Sequence, residues 1–505
     1  MMSLRKNTIY NYIGRIYISL ISIAMLPVYL RYFGAETFGL VSLFTVMQSW
    51  VRILDMGLMP TLSREVAYYR NQKDGLSNIR QVLRSLEIIF FILIIIIVLC
   101  ILFGSHWIAH HWLRVEKLDY QAVTSCITMM GIMIGFHWFS DLYRSGILGM
   151  EQQVWLNCFN IFIVTLQYGG GCAILIFIST MPVLFFGYQL MIIILEFLVL
   201  GIKFYKMIPT KKISFWNCRI SLELIEKIFP FALGIAYTSI LWTLFAESNN
   251  LLLSHILPLS TYGYFVLVIT ISNGIMQFST PISEAILPRM TYLLAQGNKV
   301  GMVQLYRNAT QLTAVIMFTM NGIVAIFGTE LIYAWTANKE AANWTGPILF
   351  WYALGNGLLS ISMFQYYLQY AYGKLKLHII INTIFTLTTI PLLYFAAYQY
   401  SAIGAAITWF LIQVVTFIIV PPIIHHKYIP GLHRKWIIKD ILPILTMIVI
   451  ILFILKIISI NFILMSRSEI FLIIFGFTSM SLTISSLASS TCRTFLLNFI
   501  GYNKI

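Results

Sequence analysis

Long apolar stretches, separated by short polar connections, recur along the whole chain. The stretch 88–103 is continuously apolar and lacks the alternation of polar and apolar positions that a membrane β-barrel strand requires. Lipid cannot satisfy backbone polar groups, so each stretch is predicted to cross the membrane as a helix of about 20 residues. Fourteen spans are predicted, near residues 8–31, 37–58, 86–108, 121–147, 154–178, 182–204, 228–251, 261–286, 309–334, 346–370, 377–398, 402–424, 440–461 and 469–490.

Basic residues are concentrated in alternate connections, which predicts the orientation of the chain. They lie around residues 64–84, 206–219, 289–307, 374–376 and 427–439, and the remaining connections are short and contain few bases. The positive-inside bias places the basic connections and both termini in the cytoplasm, with the first span uncleaved. We attribute the formal charge of +15 to these loops near anionic headgroups, and not to nucleic-acid binding. With 59% hydrophobic and 10% charged residues, the chain is predicted to be an all-α polytopic membrane protein.

Landmarks of the first half of the chain return in the second half after 224 residues. The matches are Thr37-Phe38-Gly39 with Thr261-Tyr262-Gly263, Phe103-Gly104-Ser105 with Phe327-Gly328-Thr329, and Gly149 with Gly373, each 224 positions apart. Thr37-Phe38-Gly39 is predicted to form the short turn between the first two spans. Six predicted spans separate the partners, so both halves face the same way, which indicates a parallel repeat.

The repeat predicts two six-helix lobes related by a pseudo-two-fold axis along the membrane normal, with a central cavity. The predicted lobes are residues 1–215 and 220–426, followed by two additional spans within 438–492 and a cytoplasmic tail, 493–505. Two similar bundles around one cavity are typical of transporters that work by alternating access. A duplicated scaffold without transport is the alternative interpretation.

Five charged residues are predicted in the cytoplasmic half of the first lobe: Arg15, Arg52, Asp55, Asp141 and Arg144. Within a span each costs about 2.5–3.5 kcal/mol on insertion scales, so such residues normally face a cavity. We predict that the arginines, with the two aspartates beside them, form a substrate site for an anionic headgroup, because a guanidinium binds phosphate oxygens bidentately. Each aspartate is three positions from an arginine and shares its helix face, so structural ion pairing is the alternative.

Two further carboxylates, Glu196 and Glu247, are predicted farther from the cytoplasm. A carboxyl group in a cavity can bind a proton or Na⁺, so both are candidates for coupling transport to an ion gradient. For Glu247 the alternative is a carboxylate at the outer interface beside Asn249 and Asn250. The run Tyr168-Gly169-Gly170-Gly171 in the fifth span is interpreted as close helix packing, with a hinge as the alternative.

No motif typical of catalysis or nucleotide binding is found: there is no P-loop and no Ser-His-Asp grouping in an outside loop. The chain is therefore predicted not to be an enzyme and to need no cofactor. His106, His110 and His111 are interpreted as interfacial residues beside Trp107 and Trp112, and not as a metal site. The six cysteines lack metal-ligand spacing, and we expect neither zinc nor disulfides.

The first 75 residues carry a family resemblance. The carrying segments are Asn11-Tyr12-Ile13-Gly14, Leu26-Pro27-Val28-Tyr29-Leu30-Arg31-Tyr32-Phe33-Gly34, Phe38-Gly39-Leu40, Asp55-Met56-Gly57-Leu58 with Ser63-Arg64-Glu65, and, in the second half, Thr261-Tyr262-Gly263-Tyr264. They resemble the polysaccharide-exporter family of flippases, in particular the O-antigen (Wzx-type) flippases of the multidrug/oligosaccharidyl-lipid/polysaccharide exporter superfamily.

The resemblance implies a bacterial inner-membrane flippase that moves an undecaprenyl-diphosphate-linked oligosaccharide from the cytoplasmic to the outer leaflet. A polysaccharide polymerase and a chain-length regulator are the implied protein partners. A lipid II-type flippase and a multidrug or organic-cation exporter on the same fold are the alternatives within transport. A membrane glycosyltransferase or polymerase would require a large outer loop with catalytic residues, and no connection is that long.

Overall fold

The computed structural model of the protein describes residues 4–51, 58–69, 75–209, 237, 240–241, 243–458, 460–462 and 465–499. The secondary-structure elements within these ranges are helices, which confirms the predicted all-α class. The α-helices are α1 (Leu4–Val51), α2 (Leu58–Tyr69), α3 (Gly75–Trp107), α4 (Tyr120–Gly149), α5 (Gln153–Thr165), α6 (Gly171–Phe177), α7 (Pro182–Met207), α8 (243–256), α9 (Leu259–Met276), α10 (Thr280–Ala295), α11 (Lys299–Thr336), α12 (Lys339–Ala371), α13 (Lys376–Tyr428), α14 (Leu432–Lys435), α15 (Leu442–Ile457), α16 (Arg467–Ala488) and α17 (Ser490–Phe499). Wider π-helical turns occur at Ile108–Trp112, Leu166–Gly170 and Trp436–Ile441.

Ten helical segments of the described chain are long and apolar enough to cross a membrane, so the protein is a multi-pass membrane protein. Two helices are too long for one crossing: α1 has 48 residues and α13 has 53. At 1.5 Å per residue they would measure about 72 and 80 Å, against roughly 30 Å of hydrocarbon. Each of them covers two predicted spans. The total of fourteen spans stays a prediction.

Both long helices contain a single non-helical residue with positive φ. Gly34 (φ 76°, ψ 170°) interrupts α1, and Ser401 (φ 56°, ψ −148°) interrupts α13. The prediction that the first two spans turn at Thr37-Phe38-Gly39 is therefore wrong, since these residues are helical and the chain bends at Gly34. The reason is conformational, because glycine has no Cβ and enters the positive-φ region readily.

Gly39 is helical and does not form the bend. Its role is close packing against α9. A Cβ on Gly39 would collide with the carbonyl oxygen of Leu259, and a Cβ on Gly263 would collide with that of Ala35. The two contacts are reciprocal, since Ala35 and Leu259 are 224 positions apart, like the two glycines. The repeated glycines of the sequence thus meet each other's segments, although the symmetry of the two halves as a whole stays a prediction.

We expect Gly39→Ala and Gly263→Ala each to lower the free energy of unfolding by about 1–3 kcal/mol, the usual cost of overpacking. The measurement is the thermal unfolding midpoint of the purified protein in detergent. Gly187→Ala is the matched control, because α7 leaves open space around Gly187. Alanine is favoured over glycine in helices by about 0.8–1 kcal/mol, so this variant should be unchanged or slightly more stable. Unchanged midpoints in the Gly39 and Gly263 variants would contradict the contact.

The eighth predicted span, 261–286, is not one helix. Helix α9 ends at Met276, and α10 begins at Thr280 and continues to Ala295. Pro281 lies in the first turn of α10. Proline has no N–H and is accommodated best at the start of a helix, which explains a new helix at this point.

The chain divides into two compact units, Met1–Gly263 and Tyr264–Ile505. In the first unit, buried side chains of α2, α3, α4 and α7 form one core, which includes Leu62, Phe90 and Leu200. The loop after α3 explains why this unit reaches Gly263. Its Glu116 and Lys117 N–H groups donate to the buried carboxylate of Glu36 (2.7 and 3.0 Å), and the Leu259 N–H donates to the carbonyl of Arg114.

In the second unit, the additional helices α15 and α16 belong to the same core as α11. Ile448, Leu452 and Ile474 are buried there together with Phe318 and Phe327 of α11. Residues 493–499, predicted as the beginning of a tail, continue helix α17. The lobe boundaries predicted from the repeat, 215 and 220, remain a prediction.

Candidate functional site

Three predicted site residues lie outside what the structure describes. Arg52 and Asp55 fall in the interval 52–57, which is not described. The backbone of Arg15 belongs to α1, but its side chain is outside the described part. The substrate-binding role of these residues stays a prediction.

Asp141, Arg144 and Glu196 form one charge cluster between α4 and α7, in which Glu196 is buried and the other two are partly buried. The Arg144 guanidinium lies 3.5 Å from Asp141 Oδ1, as the three-residue spacing predicts, and its other terminal nitrogen donates to Glu196 Oε1. The Glu196 side chain is 2% exposed, whereas that of Arg144 is 27% exposed.

The charge cluster contains two carboxylates and one guanidinium. With both carboxylates ionised the cluster has an excess negative charge. Arg144 is therefore already neutralised and is not an unpaired cation for an anionic headgroup. A buried ion with its partner removed is strongly unfavourable, so the arrangement favours structural pairing for Arg144. His137 Nε2 lies 4.0 Å from Asp141 Oδ2 and connects the cluster to a neighbouring cavity.

That polar cavity has a volume of about 190 Å³ and lies between α1, α4, the π-helical turn of Leu166–Gly170 and α7. Its lining combines amide, hydroxyl, imidazole and aromatic side chains with a few aliphatic ones: Tyr29, Val41, Phe44, Thr45, Gln48, Met133, His137, Gln167, Tyr168, Phe185, Phe186, Gln189 and Ile193. Most ligand pockets for drug-sized molecules measure about 300–1,000 Å³. This cavity is smaller than that range, so it suits a ligand of a single ring.

The π-helical turn shapes one wall of the polar cavity. Its carbonyl groups accept hydrogen bonds from side chains: Tyr188 donates to Leu166 O (2.8 Å), Gln189 to Gln167 O (2.9 Å) and Tyr29 to Tyr168 O (3.4 Å). Single π-helical turns of this kind occur frequently at functional sites. A Cβ on Gly170 or Gly171 would collide with Tyr188 or Phe185, so the geometry favours close packing for two glycines of the run.

Sequence reasoning missed the buried carboxylate of Glu87 in α3. Tyr143 and Tyr205 donate to Glu87 Oε1 (2.9 and 2.8 Å), and Arg84 forms an ion pair with Oε2 at 2.8 Å. These four residues end an apolar groove of about 940 Å³ along α3, α4 and α7. The Arg84 to Glu87 spacing of one helical turn was the available signal, but the tyrosines come from distant helices.

Glu247 of α8 lies beside Asn250, whose side-chain amide donates to Glu247 Oε2 at 2.7 Å. Glu247 is half-buried, and Asn249 and Asn250 are buried. An amide partner leaves the carboxylate without a compensating positive charge at this contact. The ion-coupling role and the outer-interface interpretation both stay open for Glu247.

In the second unit, Asp440 is fully buried and held by Arg307. Arg307 Nε and a terminal nitrogen donate to the two carboxylate oxygens at 2.7 and 2.8 Å, and Gln311 donates to Oδ1 at 2.8 Å. Arg307 lies near the start of α11 and is paired, and its location in a cytoplasmic connection stays a prediction. Gln311 Oε1 also accepts from Ser489 and Thr491, which fastens α17 to α11.

The predicted interfacial histidines lie among aromatic rings. His106 and His110 have ring centroids 4.3 Å apart, His110 stacks on Tyr120, and His111 stacks on Trp107. No group of three His, Cys, Asp or Glu residues placed to hold a metal ion occurs within the described ranges.

Known proteins are similar to this chain in sequence and in fold. Residues 4–294, more than half of the chain, match the family described as "Polysaccharide biosynthesis protein". A Shigella flexneri protein named "Putative O-antigen transporter" is 21% identical over 427 residues, which cover 81% of this chain and 94% of that protein.

Two solved structures have the same fold. The lipid II flippase MurJ in its inward closed conformation has a TM-score of 0.68 at 16% identity and covers 95% of this chain and 98% of its own. An inward-facing multidrug resistance transporter of the MATE family has a TM-score of 0.63 at 15% identity and covers 83% and 96%. The family match leads to one conclusion: this chain belongs to the family described as "Polysaccharide biosynthesis protein".

Proposed function

We propose that the protein translocates an undecaprenyl-diphosphate-linked oligosaccharide, such as an O-antigen repeat unit, from the cytoplasmic to the outer leaflet of a bacterial inner membrane. The carrying observation is the polar interior of the first unit, where the charge cluster and the polar cavity lie side by side within spans. Ionisable groups inside a membrane protein are costly and mark transport paths. Family membership and the relative named for O-antigen transport support a saccharide-bearing lipid as the substrate.

The energy source in this proposal is an H⁺ or Na⁺ gradient, which acts through Glu196, with Glu247 as the second candidate. Glu196 shares Arg144 with Asp141 in the charge cluster. Protonation of one carboxylate would leave the guanidinium to the other, so ion binding can change how α4 is held against α7. Alternating access then follows from the repeat, with both termini in the cytoplasm.

The proposal is tested in a strain that lacks the gene and any redundant flippase. We expect the lipid-linked oligosaccharide to accumulate on the cytoplasmic face and surface polysaccharide to disappear. Expression of the full-length gene should reverse the accumulation and restore the surface polysaccharide. Leaflet position is measured by labelling the oligosaccharide with a membrane-impermeant reagent in spheroplasts. Normal surface polysaccharide in the deletion strain would refute the proposal.

Accumulation of lipid II in the same strain would instead favour the lipid II-type alternative. Increased retention of organic cations alone would favour the multidrug alternative. A polymerase and a chain-length regulator are proposed as partners because the flipped unit is a substrate for polymerisation. A partner that fails to co-purify with the flippase after crosslinking would be removed from the proposal.

A further inference from the structure

We infer that the polar cavity of the first unit is a binding site for one neutral sugar ring of the transported lipid-linked oligosaccharide. This inference rests on the proposed function and adds to it the place where the saccharide is recognised. The cavity lies inside the first unit alone, so the argument needs only α1, α4, the π-helical turn and α7.

The first argument is charge. Among the described residues that line the polar cavity there is no Asp, Glu, Lys or Arg. A cavity for an organic cation would be expected to place a carboxylate on its wall, and a cavity for a diphosphate would be expected to place arginine or lysine there. The excess negative charge of the neighbouring cluster is on Asp141 and Glu196, which contact Arg144 and do not line the cavity. A neutral occupant is therefore favoured.

The second argument is hydrogen bonding. Three glutamine side chains, one threonine and one histidine line a space of single-ring size. A primary amide both donates and accepts, so it can match a hydroxyl group of a sugar, which does the same. Gln189 is already bound to the π-helical turn. For the side chains of Gln48 and Gln167, no hydrogen bond to another described residue is present, which leaves their amides for a ligand.

The third argument is shape. Tyr29 and Tyr168 stack with ring centroids 6.2 Å apart, and Phe185 meets Tyr29 edge-on at 5.4 Å. Aromatic faces carry partial negative charge and attract the polarised C–H groups on the flat side of a pyranose. The hydrogen bonds from Tyr29, Tyr188 and Gln189 to the π-helical turn hold this wall in place before a ligand arrives. A preformed wall reduces the entropy cost of binding.

The test is ligand-observed NMR on the purified full-length protein in detergent. The probes are free glucose, galactose, mannose, rhamnose, N-acetylglucosamine and N-acetylgalactosamine, with tetraphenylphosphonium as the organic-cation comparator. We expect at least one sugar to show saturation transfer, and Gln48→Leu and Thr45→Val each to weaken its binding about tenfold, as expected for one lost hydrogen bond. Gln121→Leu, on the exposed start of α4, should bind like the wild type.

Three results would overturn the inference: no sugar giving a signal, equal sugar binding in the wild type and both cavity variants, or binding of the cation alone that Gln48→Leu abolishes. The variants are not expected to unfold the protein, because the Gln48 side chain makes no hydrogen bond to another described residue, and unfolding midpoints check this directly. Failure of this inference can be distinguished from failure of the flippase proposal. Loss of surface polysaccharide in the deletion strain without sugar binding by the purified protein would refute this site alone. Sugar binding by the purified protein with normal surface polysaccharide in the deletion strain would refute the flippase proposal alone.

Discussion

Replacing Arg144 by glutamine is expected to lower the free energy of unfolding by about 3–5 kcal/mol, because it leaves Glu196 buried without a positive partner. Glu196→Gln should be milder, since Arg144 keeps Asp141 as a partner. The double variant Arg144→Gln/Glu196→Gln should recover part of the loss, and the coupling is read from a double-mutant cycle of unfolding midpoints. Arg434→Gln, at an exposed position, is the control.

Flux through the same variants decides between the two roles that the sequence left open for Arg144. If the arginine only neutralises Glu196, the double variant should transport substantially better than Arg144→Gln. If the arginine binds the diphosphate, both should stay inactive although the double variant is stable. Equal stability of Arg144→Gln and wild type would refute the ion pair itself.

The charge cluster also provides the test of ion coupling. Glutamine keeps the shape of Glu196 but cannot take up a proton or Na⁺. Transport by Glu196→Gln should therefore lose its dependence on the transmembrane pH or Na⁺ gradient. An unchanged gradient dependence would remove Glu196 from the coupling proposal and leave Glu247 as the candidate.

Arg15→Ala is expected to abolish transport while the protein still inserts in the membrane at normal abundance. The first predicted span contains no acidic residue to pair with Arg15, so its charge is the strongest sequence-based candidate for contacting the diphosphate. Arg15→Lys should retain only part of the flux, because lysine keeps the charge but cannot bind phosphate bidentately. Flux is measured as outer-leaflet appearance of the lipid-linked oligosaccharide, normalised to the protein in the membrane fraction.

Lys6→Ala is the matched control for Arg15, since it removes a cation near the start of the same helix, outside the predicted span. This variant should transport normally. Wild-type flux in Arg15→Ala would end the proposed role. Loss of flux together with loss of the protein from the membrane would assign Arg15 a structural role and would also contradict the expectation.

Hydropathy predicted most span positions because the cost of exposing backbone and polar groups to lipid acts on each segment separately. Helix α4 at Tyr120–Gly149 and α7 at Pro182–Met207 lie close to their predicted spans. The bend at Gly34 was predicted a few residues too late, at Thr37-Phe38-Gly39, and the break after Met276 was not predicted, although turn-forming residues occur near both places. The choice among them depends on what each backbone position contacts in the folded protein.

The ion pairs show where sequence reasoning reaches its limit. Asp141 with Arg144 was predictable, because residues three apart on a helix lie on one face whatever surrounds them. Arg144 with Glu196, and Arg307 with Asp440, are residues of different helices and lie 52 and 133 positions apart in the chain. Nothing local in the sequence relates such partners. The same holds for Glu87, whose tyrosine donors come from α4 and α7.

The helical class, the membrane location, the family resemblance and the repeated glycines were readable from the chain alone, since each depends on composition, local periodicity or motif spacing. Only the tertiary structure decided that Gly39 and Gly263 serve close packing, that Arg144 is paired with two carboxylates, and that a π-helical turn builds the polar cavity. The physical reason is that these features arise from helices packing against each other. Backbone approach, charge neutralisation and cavity walls are properties of several segments together, and no single segment encodes them.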